Sequence, residues 1–194
     1  IFAFSKGLEF NQARLFEKNP EERRGKWNRI LTLKNSPSLN KYNFIINKNK
    51  LSLIRNNTEI LTIDANETNE YDLISNKILE LEDSFEKPLF LMKNKMLPFF
   101  DTTISNKTNL THSISLLNIK SIEDFQNKTN QKIELQIFRG NIYIDGIQAW
   151  EERNWIGQVI KINNVSFKVE KNIPRCVAIN LKPNTDDNSL NLLQ

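Results

Sequence analysis

Short runs of β-branched and aromatic residues, separated by turns rich in Asn and Lys, constrain the fold of this chain more than any other feature. Three such runs, YNFIIN, KLSLIR and EILTID, follow one another over residues 42–64, and their spacing predicts a β-meander. The pattern returns after residue 134, with further strands predicted at 135–146, 157–162, 165–170 and 176–182. Asn163-Asn164 predicts a tight hairpin, because Asn tolerates left-handed backbone.

Helical periodicity is confined to two segments. In residues 69–87 the apolar residues that recur at helical spacing are Tyr71, Ile74, Ile78, Leu81 and Phe85. This stripe predicts a helix with its apolar face in the core, capped by Thr68 or Asn69 and ended by Pro88. A shorter helix is predicted at 121–129, where Ser121 and Asp124 have capping-box spacing. The charged residues 17–30 are interpreted as a surface loop.

Many short strands and few helices place the chain in a fold class that is mostly β with a few short helices (α+β), of the barrel or sandwich type. A change of character near residue 97 predicts a domain boundary there. The apolar fraction of 39% is that of a globular protein, and one cysteine cannot form an internal disulfide. Without an apolar run long enough to cross a bilayer, the sequence predicts a cytoplasmic protein with no membrane contact.

The charge pattern bears on partners. The net charge of +4 comes from Lys and Arg scattered among Asp and Glu, without a like-charge tract or a basic stripe carrying aromatic residues. Nucleic-acid binding usually leaves such a stripe. We therefore expect no nucleic-acid partner, although anions such as phosphate could be attracted.

Cys176 is the single cysteine and the first candidate for chemistry. A lone cysteine is most often a small buried hydrophobic residue, and that interpretation stays open. Pro174, however, fixes the backbone just before the thiol, and Arg175 places a permanent positive charge beside it. These neighbours favour the anionic sulfur that binds soft metals and attacks electrophiles.

Arg139 lies in FRGN, within a predicted apolar strand, where an unpaired guanidinium would be costly. Its anionic partner could be an ordinary Asp or Glu, or a phosphate or heterocycle gripped together with Gly140 and Asn141. His112 is the sole histidine, so a zinc site is not expected. A Cys-His hydrolase stays open on composition, but no GxSxG, GxGxxG or P-loop sequence supports it.

Taken in order, these motifs resemble a known family. FRGNIYIDGIQAWEERNWIGQVIKINNVSFKVEKNIPRCVAINLKPNT is similar to the signature region of MOSC domains: F-R-x-N, an acidic Trp-containing linker, an I-G hairpin and R-C. FFDTTISN and SISLLNIKSIEDF resemble the entry of the same domain, and IFAFSKG resembles the MOSC N-terminal β-barrel domain after its Gly-Asp-Arg motif. The resemblance implies a partial N-terminal barrel domain at 1–96 and a MOSC β-barrel at 97–194. It also implies that strands or motif residues are missing at both ends.

The resemblance implies a cofactor and a set of site residues. MOSC proteins bind the molybdenum cofactor, a molybdopterin, and are also associated with pyridoxal phosphate binding. Cys176 would be the metal ligand and catalytic residue, and the cofactor-binding residues would be Arg139, Asn141, Arg175, Ser115 and Asp101. Two positions depart from the family pattern, because Lys182 stands where Asp is usual and Asp186 where Gly is common.

The implied activity is reduction of N-hydroxylated small molecules, such as amidoximes, by a molybdenum-dependent oxidoreductase. The sequence carries no iron-sulfur or flavin motif, so a separate electron-transfer protein is expected as partner. An alternative is a non-catalytic cofactor carrier or sulfur-transfer module, in which Cys176 holds molybdopterin or a persulfide. A third alternative is a remnant barrel without activity.

Overall fold

The computed structural model describes residues 2–94 and 113–193. Within these residues the chain forms a mixed α+β structure, which confirms the predicted class of mostly sheet with short helices. The strands are β1 (Phe2–Lys6), β2 (Tyr42–Asn47), β3 (Lys50–Arg55), β4 (Thr58–Asp64), β5 (Leu89–Lys93), β6 (Leu116–Asn118), β7 (Ile142–Ile144), β8 (Val159–Ile162) and β9 (Val165–Lys168). The α-helices are α1 (Phe10–Lys18), α2 (Tyr71–Leu81) and α3 (Ile119–Thr129).

The described residues divide into two compact units. One consists of residues 2–94 with 181–190, and the other of residues 113–180 with 191–193. The predicted boundary near residue 97 falls outside the described residues, so the division into 1–96 and 97–194 stays a prediction. No helix among the described residues has the length and apolar character needed to cross a membrane.

The predicted meander is confirmed in the first unit. β2, β3 and β4 form an antiparallel sheet in that order, with Tyr42 opposite Arg55 and Lys50 opposite Asp64. The runs alternate in side-chain direction and are joined by short polar turns, so the pairing follows from local sequence. A separate antiparallel pair, β1 with β5, completes the strands of this unit.

Helix α2 supplies the centre of the first core. Tyr71, Ile74 and Ile78 are each 0% exposed, as the predicted apolar stripe requires. The helix begins after a 3-10 turn at Thr68–Glu70, without a side-chain cap, and ends at Leu81. The predicted caps at Thr68 and Asn69, and the stop at Pro88, were therefore wrong. Phe85 is buried beyond the end of the helix.

The predicted surface loop at 17–30 is more structured than expected. The segment contains the end of α1 and two 3-10 turns, Pro20–Arg23 and Trp27–Arg29. Phe16, on α1 just before the segment, is fully buried. Arg23 is only 2% exposed. The polar composition hid this structure, because helical residues that bury one face keep most of their charges on the other.

The segment 181–190 is tied to the first unit by polar contacts. Asn40 Nδ2 donates to the carbonyls of Lys182 and Thr185, at 2.8 and 2.7 Å. Lys41 Nζ lies 2.7 Å from Asp186 Oδ2, and Lys182 Nζ lies 2.6 Å from Asp187 Oδ2. The two positions that depart from the family pattern, Lys182 and Asp186, therefore both form ion pairs here.

In the second unit β6 and β7 pair in parallel, and α3 follows β6 directly. The helix cap is Asn118, whose side chain accepts from Lys120 N at 3.0 Å. The predicted cap, Ser121, instead donates to Glu152 at 2.8 Å. The β8–β9 hairpin is confirmed, with Asn163 at φ 53° in the left-handed region.

Two predicted strands are wrong in large part. Residues 135–138 form a 3-10 helix (Leu135–Phe138), and only Ile142–Ile144 of the predicted 135–146 is strand. The predicted strand at 176–182 is a 3-10 helix at Val177–Asn180. Local bonds replace ladder bonds there, since Ile137 N donates to Glu134 O and Ile179 N to Cys176 O. The described strands pair in four small sheets, and the predicted barrels stay predictions.

Candidate functional site

Most of the predicted site residues lie in the second unit, on three neighbouring segments. Ser115 precedes β6, Arg139 and Asn141 lie in the turn before β7, and Arg175 and Cys176 precede the 3-10 helix Val177–Asn180. Asp101 and His112 lie outside the described residues.

The parallel pairing of β6 with β7 joins Ser115 to Asn141. Leu116 is opposite Ile142, so the residues just before each strand also meet. The N–H and the hydroxyl of Ser115 both donate to Asn141 Oδ1 at 2.9 Å, and Asn141 N donates to Ser115 Oγ at 3.0 Å. The side-chain oxygen of Asn141 is thus committed to Ser115, and a contact from its side chain to a ligand would come from the amide nitrogen.

Arg139 adopts a left-handed conformation, φ 50° and ψ 41°, at the end of the 3-10 helix Leu135–Phe138. It is exposed, so the expectation of a guanidinium inside an apolar strand was wrong. Its Nη1 donates to Ile137 O at 3.1 Å and to Ala178 O at 3.0 Å. The second bond links the turn to the segment that carries Cys176.

Arg175 approaches the same turn from the other side. Its guanidinium carbon lies 5.4 Å from the centre of the Phe138 ring, and Nη1 donates to Phe138 O at 3.3 Å. Stacking on an aromatic face orients a guanidinium without neutralising it. Arg175 therefore keeps its charge for a ligand.

Cys176 is exposed, so the interpretation of this thiol as a buried core residue was wrong. The guanidiniums of Arg139 and Arg175 both interact electrostatically with Cys176. Partial burial of the guanidinium lowers the pKa of Arg139, although the residue as a whole is exposed, and electrostatic interaction with Cys176 raises it. Partial burial of its guanidinium likewise lowers the pKa of Arg175, although the residue as a whole is exposed, and electrostatic interaction with Tyr143 and Cys176 raises it. Arg175 adjoins Cys176 in the chain, and Arg139 Nη1 contacts the carbonyl of Ala178, two residues beyond Cys176, so both cations lie near this thiol.

Tyr143 is a member of this cluster that the sequence did not single out. Its hydroxyl accepts from Gly140 N at 3.0 Å and donates to Leu135 O at 3.1 Å. A tyrosine in a predicted strand is expected to lie on one face of the sheet. Nothing in its spacing from Arg139 indicates a hydrogen bond to the turn. Phe138, the platform for Arg175, was missed for the same reason.

The chemistry of the cluster follows from its donors. An exposed cysteine sulfur is a soft ligand suited to a thiophilic metal, and two guanidiniums offer charge-assisted hydrogen bonds to an anionic group. The remaining polar groups, on Ser115 and Asn141, offer neutral contacts. Within the described ranges, no group of three or more His, Cys, Asp or Glu side chains could hold a metal ion. The residues present fit a metal that arrives with other ligands of its own and an anionic tail.

Comparison with known proteins agrees with this chemistry. Residues 104–193 match the family model of the MOSC domain. The chain is 32% identical over 72 residues, 37% of its length, to mitochondrial amidoxime reducing component 2 of Rattus norvegicus, and 27% identical over 92 residues, 47% of its length, to the protein of that name from Bos taurus. The matched parts cover 21% and 27% of the length of those two relatives.

Proposed function

We propose that this chain, whose residues 104–193 match the family model of the MOSC domain, binds the molybdenum cofactor with Cys176 as the protein's ligand to the metal. The domain and the two relatives support a function related to this cofactor in general. The single observation that carries the finer assignment is the exposed thiol of Cys176, which directly follows Arg175 in the chain and lies two residues before Ala178, whose carbonyl accepts from Arg139.

The roles of the residues follow from their chemistry. Arg139 and Arg175 would bind the anionic end of the cofactor, since a guanidinium forms two parallel hydrogen bonds with phosphate oxygens. Asn141, held by Ser115, would donate from its amide nitrogen. Asp101 keeps the cofactor-binding role that the resemblance implies. When bound, the cofactor would supply the two-electron redox chemistry that the reduction requires.

The proposed reaction is reduction of an N-hydroxylated small molecule such as an amidoxime. The N–O bond breaks with uptake of two electrons and two protons, and the oxygen leaves as water. The names of the two relatives support this substrate class, and the word "component" in them agrees with electrons coming from a separate protein. A cytoplasmic location and pyridoxal phosphate binding remain predictions from the sequence.

The test is production of the chain in cells that supply the cofactor. We expect molybdenum and pterin to copurify with the protein, and reduced viologen to support conversion of benzamidoxime to benzamidine. A folded protein that contains no molybdenum and leaves benzamidoxime unchanged would contradict the proposal.

A second candidate is a cofactor carrier or sulfur-transfer module, because an exposed thiol beside two cations also suits a persulfide. Intact-mass spectrometry distinguishes the two. A persulfide adds one sulfur atom to Cys176, whereas bound molybdopterin leaves the thiol unmodified after denaturation and releases a fluorescent pterin on oxidation.

A further inference from the structure

The hydroxyl of Tyr143 joins two turns of backbone around the candidate site. It accepts a hydrogen bond from Gly140 N at 3.0 Å and donates one to Leu135 O at 3.1 Å. Leu135 begins the 3-10 helix that ends in Arg139, so the two bonds span both ends of the segment that carries Arg139. The hydroxyl uses one donor and one acceptor, which satisfies it fully within the protein.

Gly140 lets the tyrosine ring approach this closely. A Cβ atom on Gly140 would lie 2.5 Å from Leu117 Cδ1 and 3.2 Å from Tyr143 Cζ. Both neighbours lie on the paired strands β6 and β7, where Leu117 is opposite Tyr143. The turn therefore packs on the sheet through a close contact that a side chain at position 140 would disturb.

The positions of Arg139 and Arg175 depend on the packing of this turn in different ways. Arg139 holds a left-handed conformation that side-chain-bearing residues keep only when their surroundings impose it. Arg175 stacks on Phe138, the residue directly before Arg139. A movement of the turn would therefore displace both guanidiniums from the neighbourhood of Cys176.

We propose that Tyr143 is a positioning residue that fixes the turn 138–141, and through it the two guanidiniums of Arg139 and Arg175, around Cys176. Its effect on cofactor affinity rests on the function proposed above. Its effect on the positive charge around the thiol is independent of that function and can be measured on protein without cofactor.

The single thiol of the chain provides the readout. Alkylation of Cys176 by iodoacetate, an anion, is compared with alkylation by iodoacetamide, which is neutral; in both the sulfur displaces iodide. The ratio of the two rates cancels the fraction of ionised thiol and reports the local positive charge. The full chain is compared with N-acetylcysteine at low ionic strength, where screening is weakest.

We expect wild-type protein to favour iodoacetate relative to N-acetylcysteine, and Tyr143→Phe to lower that preference roughly two- to tenfold, the range expected for net loss of one hydrogen bond. Gly140→Ala keeps the hydroxyl but displaces the ring, so it should lower the preference as well. The matched control is Thr129→Val, which removes a hydroxyl bonded to the carbonyls of Phe125 and Gln126 in the same unit. Its ratio should equal that of the wild type.

Two results would overturn the proposal: a Tyr143→Phe ratio equal to that of the wild type, or a wild-type ratio equal to that of N-acetylcysteine. The molybdenum content of cofactor-loaded wild type decides the proposed function separately. If the wild type retains no molybdenum while the ratio still depends on Tyr143, the function fails and the positioning role stands. If it does retain molybdenum, Tyr143→Phe should retain less than Thr129→Val.

Discussion

At the scale of single residues, Cys176 is exposed, so its chemical role can be tested by substitution with little effect on core packing. Replacing an exposed thiol by a hydroxyl removes little buried area, and surface changes usually alter the free energy of unfolding by less than about 0.5 kcal/mol. We therefore expect Cys176→Ser to unfold at the same urea concentration as the wild type. A clear loss of stability would show that the sulfur packs against the protein after all.

Arg139 should behave differently, because it has both a structural and a binding role. Arg139→Ala removes the bonds to Ile137 O and Ala178 O and, by our proposal, a charged contact worth about 1.5–3 kcal/mol. We expect the affinity for the cofactor to fall roughly tenfold or more, so that occupancy drops at limiting cofactor and recovers in part when cofactor is in excess. The amount of pterin released per chain measures this occupancy. Full occupancy in Arg139→Ala at limiting cofactor would exclude the contact.

At the scale of elements, α2 carries a clean internal comparison. Ile78 is 0% exposed, whereas Leu73 on the same helix is 52% exposed. Truncation of a buried Ile to Ala costs about 2–5 kcal/mol through lost burial and the cavity left behind. Ile78→Ala should lower the free energy of unfolding by that amount in urea titrations, and Leu73→Ala by less than about 1 kcal/mol. Equal losses would contradict the described packing of the first unit.

The segment 181–190 gives a prediction about pH. Lys182, first, and Ser189 hold the pKa of Asp187 at about 2, below the usual value near 3.9. A lowered carboxyl pKa stabilises the folded state above the ordinary pKa, and the contribution is lost as the pH falls through the folded value. The free energy of unfolding should therefore decrease as the pH falls from about 4 to about 2.

The control is Asp187→Asn, whose side chain has no carboxylate to take up a proton as the pH falls. Its stability should fall less than that of the wild type over the same interval, as followed by circular dichroism during acid titration. Parallel curves for the two proteins would show that the Lys182–Asp187 pair does not contribute. The exposed position of this pair keeps the expected difference small and sensitive to salt.

The elements also show where sequence reasoning succeeds. The strands at 42–64 were predicted almost to the residue, because alternation and short Asn-containing turns are local signals. The stripe of α2 was correct for the same reason. Its caps and its end were not, since a 3-10 turn replaced the expected capping residue. Boundaries depend on competing local bonds that differ little in energy.

The failures at 135–146 and 176–182 have a common cause. Both segments carry residues that favour strands, but among the described residues only Ile142–Ile144 of the first segment pairs with another strand, and the second segment pairs with none. Their backbones turn instead, held by side chains distant in sequence, such as Arg139 Nη1 on Ala178 O and Arg175 Nη1 on Phe138 O. Cys176, Arg139, Asn141 and Arg175 were thus proposed from their chemistry. Ser115 and Asp101 were proposed from the family resemblance, and the arrangement of the described residues came only from the structure.

At the scale of the whole molecule, sequence family and spatial unit do not coincide. The MOSC match extends over residues 104–193, yet residues 181–190 pack with the first unit. The described site residues all lie in 113–180 and so within one unit. The central claim, that the Cys176 sulfur binds the metal, can therefore be tested without assuming how the units are arranged.

The most direct measurement is iodoacetamide labelling of Cys176 in preparations of wild-type protein that differ in molybdenum content. Because the chain contains one cysteine, the mass shift reports this thiol alone. Our account predicts that the fraction of rapidly labelled protein falls in proportion to the molybdenum bound, and that removing the cofactor restores labelling. Molybdenum-loaded protein whose thiol is labelled as fast and as fully as that of unloaded protein would contradict it.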